Sequence, residues 1–439
     1  MLLKFQTHIN QQFPQLKKQH VGVAISGGVD SVVLTDLMHQ SHIKITLLHC
    51  NFQLRGVASN GDQAFVKRLA EQLKIPFITT EFNTSAYAEV HKTSIQVAAR
   101  ELRYRWFYKM KELYQLDVIA TAHHLDDNLE TFLINLSRGT GLEGLTGIPE
   151  INKSIIRPLL LFTKKSLLTY AESEQLEWRE DASNSETKYL RNELRHNVIP
   201  AYKNTNPELL QNFQKTVNYL KQNKDLLDFF IKKKSNKLFK KDPVTKGFKI
   251  SIKKLKKMES LELFLFESLK KYQFTAWVDI KNILDSQPGA KVFSKTHTLL
   301  KDREYLLLYP NPISHENEEY HINKTDDALL TSNGKFKIST KRNNNKISSQ
   351  CVQIDVDKIE FPLIVRKWQQ GDYFYPSGMK GKKKVSKYFK DEKFSIPEKE
   401  NTWLICTKND VIWIVGKRAD RRFQIQPETT NILKITYDN

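Results

Sequence analysis

Ser26-Gly27-Gly28-Val29-Asp30-Ser31 is the segment of this chain best suited to chemistry. An apolar run, Val21 to Ile25, precedes it and reads as a buried strand; Val32 to Met38 follows and reads as the opening turns of a helix. A strand, a glycine turn and a helix N-terminus make an anion cradle. Glycines let the backbone approach closely, and free N–H groups point at the ligand. The hydroxyls of Ser26 and Ser31 add donors. Asp30 is unusual beside a phosphate, because a carboxylate repels it unless a divalent cation lies between them or the side chain fixes the loop. No Gly-Lys-Ser/Thr follows, so this is not a Walker loop. An ordinary tight turn with serines is the plain alternative, and the strand–turn–helix context argues against it.

A second cluster runs Thr121-Ala122-His123-His124-Leu125-Asp126-Asp127-Asn128-Leu129-Glu130-Thr131, at an expected strand end and helix start. Glu130 follows Asp126 by four residues and Asp127 by three, so three carboxylates share one neighbourhood. Such a group binds a cation, either Mg²⁺ or an ammonium or both. His-His-x-Asp-Asp also has metal-ligand spacing. Acidic capping of a helix N-terminus accounts for Asp126 and Asp127 but not for the paired histidines.

The elements that must position these groups alternate. Ile43 to Cys50, Pro76 to Phe82 and Asp117 to Ala122 read as strands. Asp62 to Leu73, Ser94 to Tyr114, Leu125 to Ser137 and Thr163 to Gln175 read as helices, the last capped by Thr163 and the second striped by Ile95, Ala98, Leu102, Trp106 and Leu113. Repeated strand–helix units imply an α/β, doubly wound parallel sheet, in which ligands sit outside the carboxyl ends of strands. The glycine loop and His123-His124 both fall at strand ends, so one cleft can serve both. Gly139 to Gly144 reads as a mobile or phosphate-facing loop. Asn206 to Lys234 reads as one long helix, Ser260 to Leu284 as two helices, and Lys291 to Tyr309 as a hairpin. The polar stretch Ser314 to Asn345 reads as containing a linker, and Cys351 onward as a small β domain with strands at Trp403 to Cys406 and Val411 to Gly416. The expected division is 1–205 catalytic, 206–312 mostly helical, 313–350 linker and 351–439 mostly β.

At 439 residues the chain exceeds one core. Its apolar runs fall far short of a membrane span, and Met1 to His20 lacks an apolar signal core. Cys50, Cys351 and Cys406 are isolated, with no CxxC and no disulfide framework, which points to the reducing cytoplasm. The net charge of +20 favours a polyanionic partner through counterion release. Twelve lysines face one acid between Ile231 and Lys257, and seven face two between Lys380 and Lys393. Tyr373, Phe374, Tyr375, Tyr388 and Phe389 lie in or beside the second cluster, a pattern that suits nucleic acid.

The glycine loop resembles the pyrophosphate loop of the ATP pyrophosphatase superfamily, whose members cleave ATP between the α and β phosphates. The resemblance becomes specific to the tRNA(Ile)-lysidine synthetase family on further stretches: Ala98 to Tyr104; Glu180 to Asn184 followed by Tyr189 to Arg195 and Pro200; and Arg366 to Arg422 with Gly371-Asp372, Gly381 to Lys384 and Gly416 to Arg418. One departure stands out. Where the family has Asn-His-Gly-Leu-Arg, this chain has Asn51-Phe52-Gln53-Leu54-Arg55, so a contact made by that histidine is missing while Arg55 can still serve.

The resemblance implies an adenine nucleotide α-hydrolase-like N-terminal domain and a reaction joining L-lysine to the wobble cytidine of the CAU-anticodon isoleucine tRNA, with ATP giving AMP and pyrophosphate. It implies that Ser26, Gly27, Gly28, Val29, Asp30, Ser31 and His123 bind the nucleotide, that Asp30 and Asp126 hold Mg²⁺, and that Asp30, Asp127, Glu130 and Arg103 form the catalytic set. Asp127 and Glu130 would hold the α-ammonium of lysine or position its side chain. Arg55, Arg103, Arg105, Asp126, Arg191, Arg195 and Lys383 are the remaining candidates for lysine or tRNA. A monomer and a homodimer both remain open. The rivals are a tRNA thiolase, which needs cysteines placed for sulfur relay, an amidating ligase, which needs no lysine-rich appendages, and a non-catalytic RNA-binding protein, which would not need Asp30 and the acidic cluster intact.

Overall fold

The structure, a computed structural model, describes residues 1–54, 56–179, 190–311, 318–340 and 350–438. The chain divides into two compact units, Met1–Leu227 and Asp228–Asn439.

In the first unit the order is α1 (Leu2–Gln12), β1 (His20–Ala24), α2 (Val29–Gln40), β2 (Lys44–Asn51), α3 (Val57–Leu73), β3 (Phe77–Glu81), α4 (Thr84–Val90), α5 (Ile95–Leu113), β4 (Val118–Ala120), α6 (Leu125–Ser137), α7 (Leu142–Leu145), β5 (Ile151–Asn152), β6 (Ile155–Ile156), α8 (Lys164–Ser173), α9 (Leu190–Glu193), α10 (Ile199–Thr205) and α11 (Leu209–Leu238), the last running past the unit boundary. The strands form one sheet in the order β3-β2-β1-β4-β6-β5. All neighbours are parallel except β5, which runs antiparallel to β6. Residues of α1, α2, α3 and α8 share one core with the sheet. Trp106, Phe107 and Met110 of α5 pack with Leu48 and Ile119 in another. The doubly wound reading therefore holds. The strand order reverses between β1 and β4, which is where such sheets bind ligands.

Local chemistry sets the ends of these elements. Thr163 caps α8 by accepting from the Ser166 N–H, and Ser94 caps α5 by accepting from Val97. The buried stripe of α5 is Ala98, Leu102, Trp106, Phe107 and Met110, whereas Ile95 and Leu113, expected in it, are exposed. Part of the glycine-rich stretch expected as a loop, Leu142–Leu145, is a helical turn.

The second unit carries β7 (Phe239–Asp242), β8 (Gly247–Ser251), α12 (Ile252–Leu255), α13 (Leu261–Leu269), α14 (Trp277–Asn282), β9 (Lys291–Phe293), β10 (His297–Asp302) and β11 (Tyr305–Pro310). The two expected helices are joined by a five-stranded antiparallel sheet, β7-β8-β11-β10-β9, of which the expected hairpin is one part. Next come β12 (Glu319–Ile322), β13 (Ala328–Thr331), β14 (Gly334–Ser339), β15 (Cys351–Asp355), β16 (Leu363–Lys367), β17 (Tyr373–Phe374), β18 (Lys383–Lys384), α15 (Val385–Asp391), α16 (Ile396–Asn401), β19 (Trp403–Thr407), β20 (Asp410–Ile414) and β21 (Ile432–Asp438). Two four-stranded sheets, β12-β16-β19-β20 and β13-β14-β21-β15, enclose a core that includes Phe336, Trp403, Trp413 and Ile435. Residues 318–340, expected as linker, thus supply three strands, because Ile322, Phe336 and Ile338 bury apolar side chains against that core.

Gly247 lets β8 lie close against β11: a Cβ there would sit 2.1 Å from the Leu308 carbonyl oxygen and 2.8 Å from Tyr309 Cα. Gly247→Ala is expected to cost roughly 1–3 kcal/mol, seen as a lower denaturant midpoint for the unfolding of the second unit.

Candidate active site

The turn after β1 enters α2 through Gly28, whose side-chain-free N-cap leaves the first turn without a side-chain cap and open to an anion. Gly27 has φ of +95°, a conformation glycine adopts at little cost. Its carbonyl accepts from the Arg179 N–H at 3.0 Å, and the Arg179 guanidinium pairs with Asp62 of α3 at 2.5 Å. The serines brace the turn: Ser31 Oγ donates to the Gly28 carbonyl at 2.8 Å, and Ser26 Oγ accepts from the Gly28 N–H at 3.3 Å. A cleft of about 330 Å³ opens here, lined by Ser26, Gly28, Asp30 and Ser31 from the loop, Thr121, His123 and Asp127 from the end of β4 and the start of α6, and Cys50, Phe52 and Arg103 opposite. The two motifs do meet in one cleft.

Asp30 is held by the ammonium of Lys164, whose Nζ donates to both carboxylate oxygens at 2.7 and 2.9 Å. His124 Nε2 lies 3.7 Å from Asp30 Oδ2 and 3.5 Å from Asp127 Oδ2, and its Nδ1 lies 3.7 Å from Asp126 Oδ2. Burial opposes a charge on the imidazole, but the three surrounding carboxylates outweigh it and raise its pKa. Burial likewise opposes ionisation of Asp30, and His124 with Lys164 outweighs it, so its carboxyl sits below the usual range.

The acids divide by partner. Asp127 and His124 form a capping box on α6, with the His124 N–H donating to Asp127 Oδ2 at 3.0 Å, so helix capping does account for part of this motif. Asp126 Oδ1 accepts from Lys203 Nζ at 2.5 Å and Oδ2 from the Lys164 backbone N–H at 2.8 Å. Burial works against its charge, and Lys203, the Lys164 N–H and His124 overcome it. Each carboxylate oxygen of Asp126 therefore already accepts one hydrogen bond, as each oxygen of Asp30 does from Lys164. Among the described residues no group of three or more His, Cys, Asp or Glu is arranged to hold a metal ion, and His124 and Asp127 of the His-His-x-Asp-Asp stretch serve as the helix cap.

Glu130, only 2% exposed, accepts from Arg195 Nε at 2.6 Å and Nη2 at 2.8 Å, and Arg195 Nη2 also reaches Asp127 Oδ1 at 3.1 Å. Arg191 Nε stands 3.3 Å from Glu130 Oε2 and its Nη2 donates to Thr131. Arg191 and Arg195, candidates for tRNA contact, lie against the carboxylates of α6 in this structure. Arg103 lines the cleft, its guanidinium over the Phe52 ring at 5.2 Å. Arg105 is exposed over Tyr87 at 5.3 Å and does not line it. His123 lines the cleft, bonds Thr121 Oγ1 at 2.9 Å, and has its pKa lowered to about 4 by burial. Val29 opens α2 directly after its N-cap, Gly28. In the second unit Lys383 pairs with Asp391 at 2.8 Å. Arg55 and the stretch 180–189 lie outside the described residues. Lys164, Lys203 and Arg179 were not expected; each meets its partner across more than seventy residues, a distance no local pattern signals.

Family comparisons agree along the chain. A PP-loop domain matches residues 1–202, a TilS substrate binding domain 244–311 and a TilS substrate C-terminal domain 363–436. The tRNA(Ile)-lysidine synthase of Parabacteroides distasonis is 37% identical over 423 residues, 94% of this chain and 94% of that protein. The chain belongs to the tRNA(Ile)-lysidine synthase family. The synthases of Bacteroides thetaiotaomicron, 37% identical over 94% of this chain and 93% of that protein, and of Porphyromonas gingivalis, 35% identical over 92% and 90%, extend the match. Among the described residues no helix is long and apolar enough to cross a membrane.

Because the folded pKa of Asp126 lies below its ordinary value of about 3.9, its stabilisation is present above that pH and lost as pH falls through the folded pKa. Asp126→Asn is expected to cost roughly 1–3 kcal/mol at pH 7 and to flatten the acid limb of melting temperature plotted from pH 7 to pH 3. An acid limb as steep as in the unsubstituted protein would refute this.

Proposed function

We propose that the chain ligates L-lysine to C2 of the wobble cytidine in the CAU anticodon of isoleucine tRNA, using ATP and releasing AMP and pyrophosphate. The observation that carries this reading is the single cleft in which a phosphate loop and a carboxylate group meet at neighbouring strand ends. Cytosine's C2 oxygen is a poor leaving group. Its attack on the α-phosphate expels pyrophosphate and converts it to an adenylate ester; the lysine ε-amine then attacks C2, and AMP departs with that oxygen. Ser26 to Ser31 hold the pyrophosphate side. A Mg²⁺ ion accompanying the nucleotide would meet Asp30, a carboxylate that already holds one cation, and would neutralise phosphate charge.

Asp127, which lines the cleft, receives the lysine, and Glu130, buried and bound to the same Arg195, positions it. Arg103, at the cleft wall, suits the lysine carboxylate or a tRNA phosphate. The ε-amine must lose a proton held with a pKa near 10.4 before it attacks. A histidine or a carboxylate of the cluster accepts that proton. Alignment of three reactants supplies much of the acceleration. The lysine-rich stretches 231–257 and 380–393 serve the tRNA.

Thiolation is disfavoured by the thiols. Burial pushes Cys50, at the cleft wall, up to about 12, and Cys406 likewise to about 12, so neither is a ready nucleophile.

Purified protein given labelled lysine, ATP and an unmodified CAU isoleucine transcript should move label into RNA with equimolar AMP; ADP in place of AMP would overturn the reading. Asp127→Ala and Glu130→Ala should raise the KM for lysine by about tenfold or more, the loss of a charge-assisted hydrogen bond, with little change in ATP affinity. Binding of the transcript should fall by about 10³-fold or more between 50 and 200 mM salt if six or more phosphates are contacted; a flat response would remove the lysine clusters from the interface.

A further inference from the structure

The loop after β1 lacks the lysine that follows the glycines of a Walker loop, yet an ammonium stands beside it. It comes from the first residue of α8, 134 positions further along the chain, where Lys164 Nζ donates to both oxygens of Asp30. Asp30 itself lines the cleft with Ser26, Gly28 and Ser31. A lone carboxylate in that first turn suits the helix dipole but repels a polyphosphate. An ammonium on it cancels that repulsion, and once turned to the phosphates it attracts them.

The root of this lysine is fixed independently of its tip. Its backbone N–H is held by Asp126, which is in turn held by Lys203, and Thr163 caps the helix it opens. Its side chain remains 37% exposed. A fixed Cα with a partly solvated four-carbon stem lets the ammonium move between Asp30 and a neighbouring anion without disturbing the backbone.

We propose that Lys164 is the phosphate-binding lysine of this site, its ammonium contacting the β- and γ-phosphates of ATP and then the departing pyrophosphate. The inference rests on the ATP-cleaving role given above and adds a residue to it. The fold supplies from α8 the cation that a Walker loop carries within itself.

The full-length protein with Lys164→Met, and with Lys164→Arg, tests this by calorimetric titration with three probes: an ATP analogue uncleavable between the α and β phosphates, inorganic pyrophosphate, and AMP. The methionine variant should lose about 10- to 100-fold in affinity for the analogue and for pyrophosphate, with AMP changed less than about twofold and most of the loss recovered by arginine. Pyrophosphate affinity unchanged in the methionine variant overturns the proposal. So does a parallel fall for AMP, which would make Lys164 a prop for Asp30. The arginine variant keeps a cation on Asp30, so its pyrophosphate affinity decides the matter if the methionine variant fails to fold: affinity near that of the unsubstituted protein supports the role, and loss of pyrophosphate and AMP together overturns it. Lysidine formation by the unsubstituted protein, assayed alongside, separates the two readings. If it is absent while the phosphate discrimination holds, the reaction falls and the lysine's role stands.

Discussion

Four carboxylates crowd one neighbourhood of the first unit, and the rest of the site depends on how their charge is balanced. Asp30, Asp126, Asp127 and Glu130 would repel one another strongly if left alone, since uncompensated charge is costly away from water. Lys164 answers Asp30, Lys203 answers Asp126, and Arg195 bridges Asp127 and Glu130, while His124 stands among three of the four. The segment that brings Arg195 and Lys203 is docked by apolar contacts as well: Ile199, Leu209, Phe213 and Val217 pack on Leu125 and Leu129 of α6. Hydrophobic burial holds the bases where the acids need them, and the ion pairs fix their register.

Much of this was legible in the sequence because it is local. The apolar strands, the Thr163 cap, the helix over Leu125–Ser137 and the glycine turn each declare themselves within a dozen residues. Their alternation dictates a parallel sheet, and the sheet forces the ends of β1 and β4 together at the reversal in strand order. What stayed hidden is non-local. Nothing near Lys164 or Lys203 distinguishes them from other lysines, and nothing near Arg195 says that it faces Glu130 in place of solvent. The capping role of His124 was hidden for a different reason: histidine is not among the usual N-cap residues.

The strands within 318–340 were obscured by polarity. β12 is an edge strand whose outward residues, Glu319 and His321, are charged or polar, and only its Ile322 is fully buried; β13, the edge strand of the other sheet, fully buries none of its four residues. A sheet edge facing water carries such residues to avoid pairing with other chains, and composition alone reads them as a loop. The middle sheet was underestimated similarly, because β7 and β8 carry Lys240, Lys241 and Lys249, and the apolar strand that β8 pairs with, through Leu306, Leu307 and Leu308, comes from far along the chain.

The order in which acids and bases occur along the chain has a consequence for biosynthesis. All four carboxylates leave the ribosome before Lys164, Arg195 and Lys203. Through that interval the nascent α6 carries its negative charge with no internal counterion and must keep it hydrated, so the first unit cannot close over its acidic helix until the segment ending at residue 205 has emerged. Vectorial synthesis therefore makes the completion of this catalytic half a late event, timed by the bases and not by the loop that appears first.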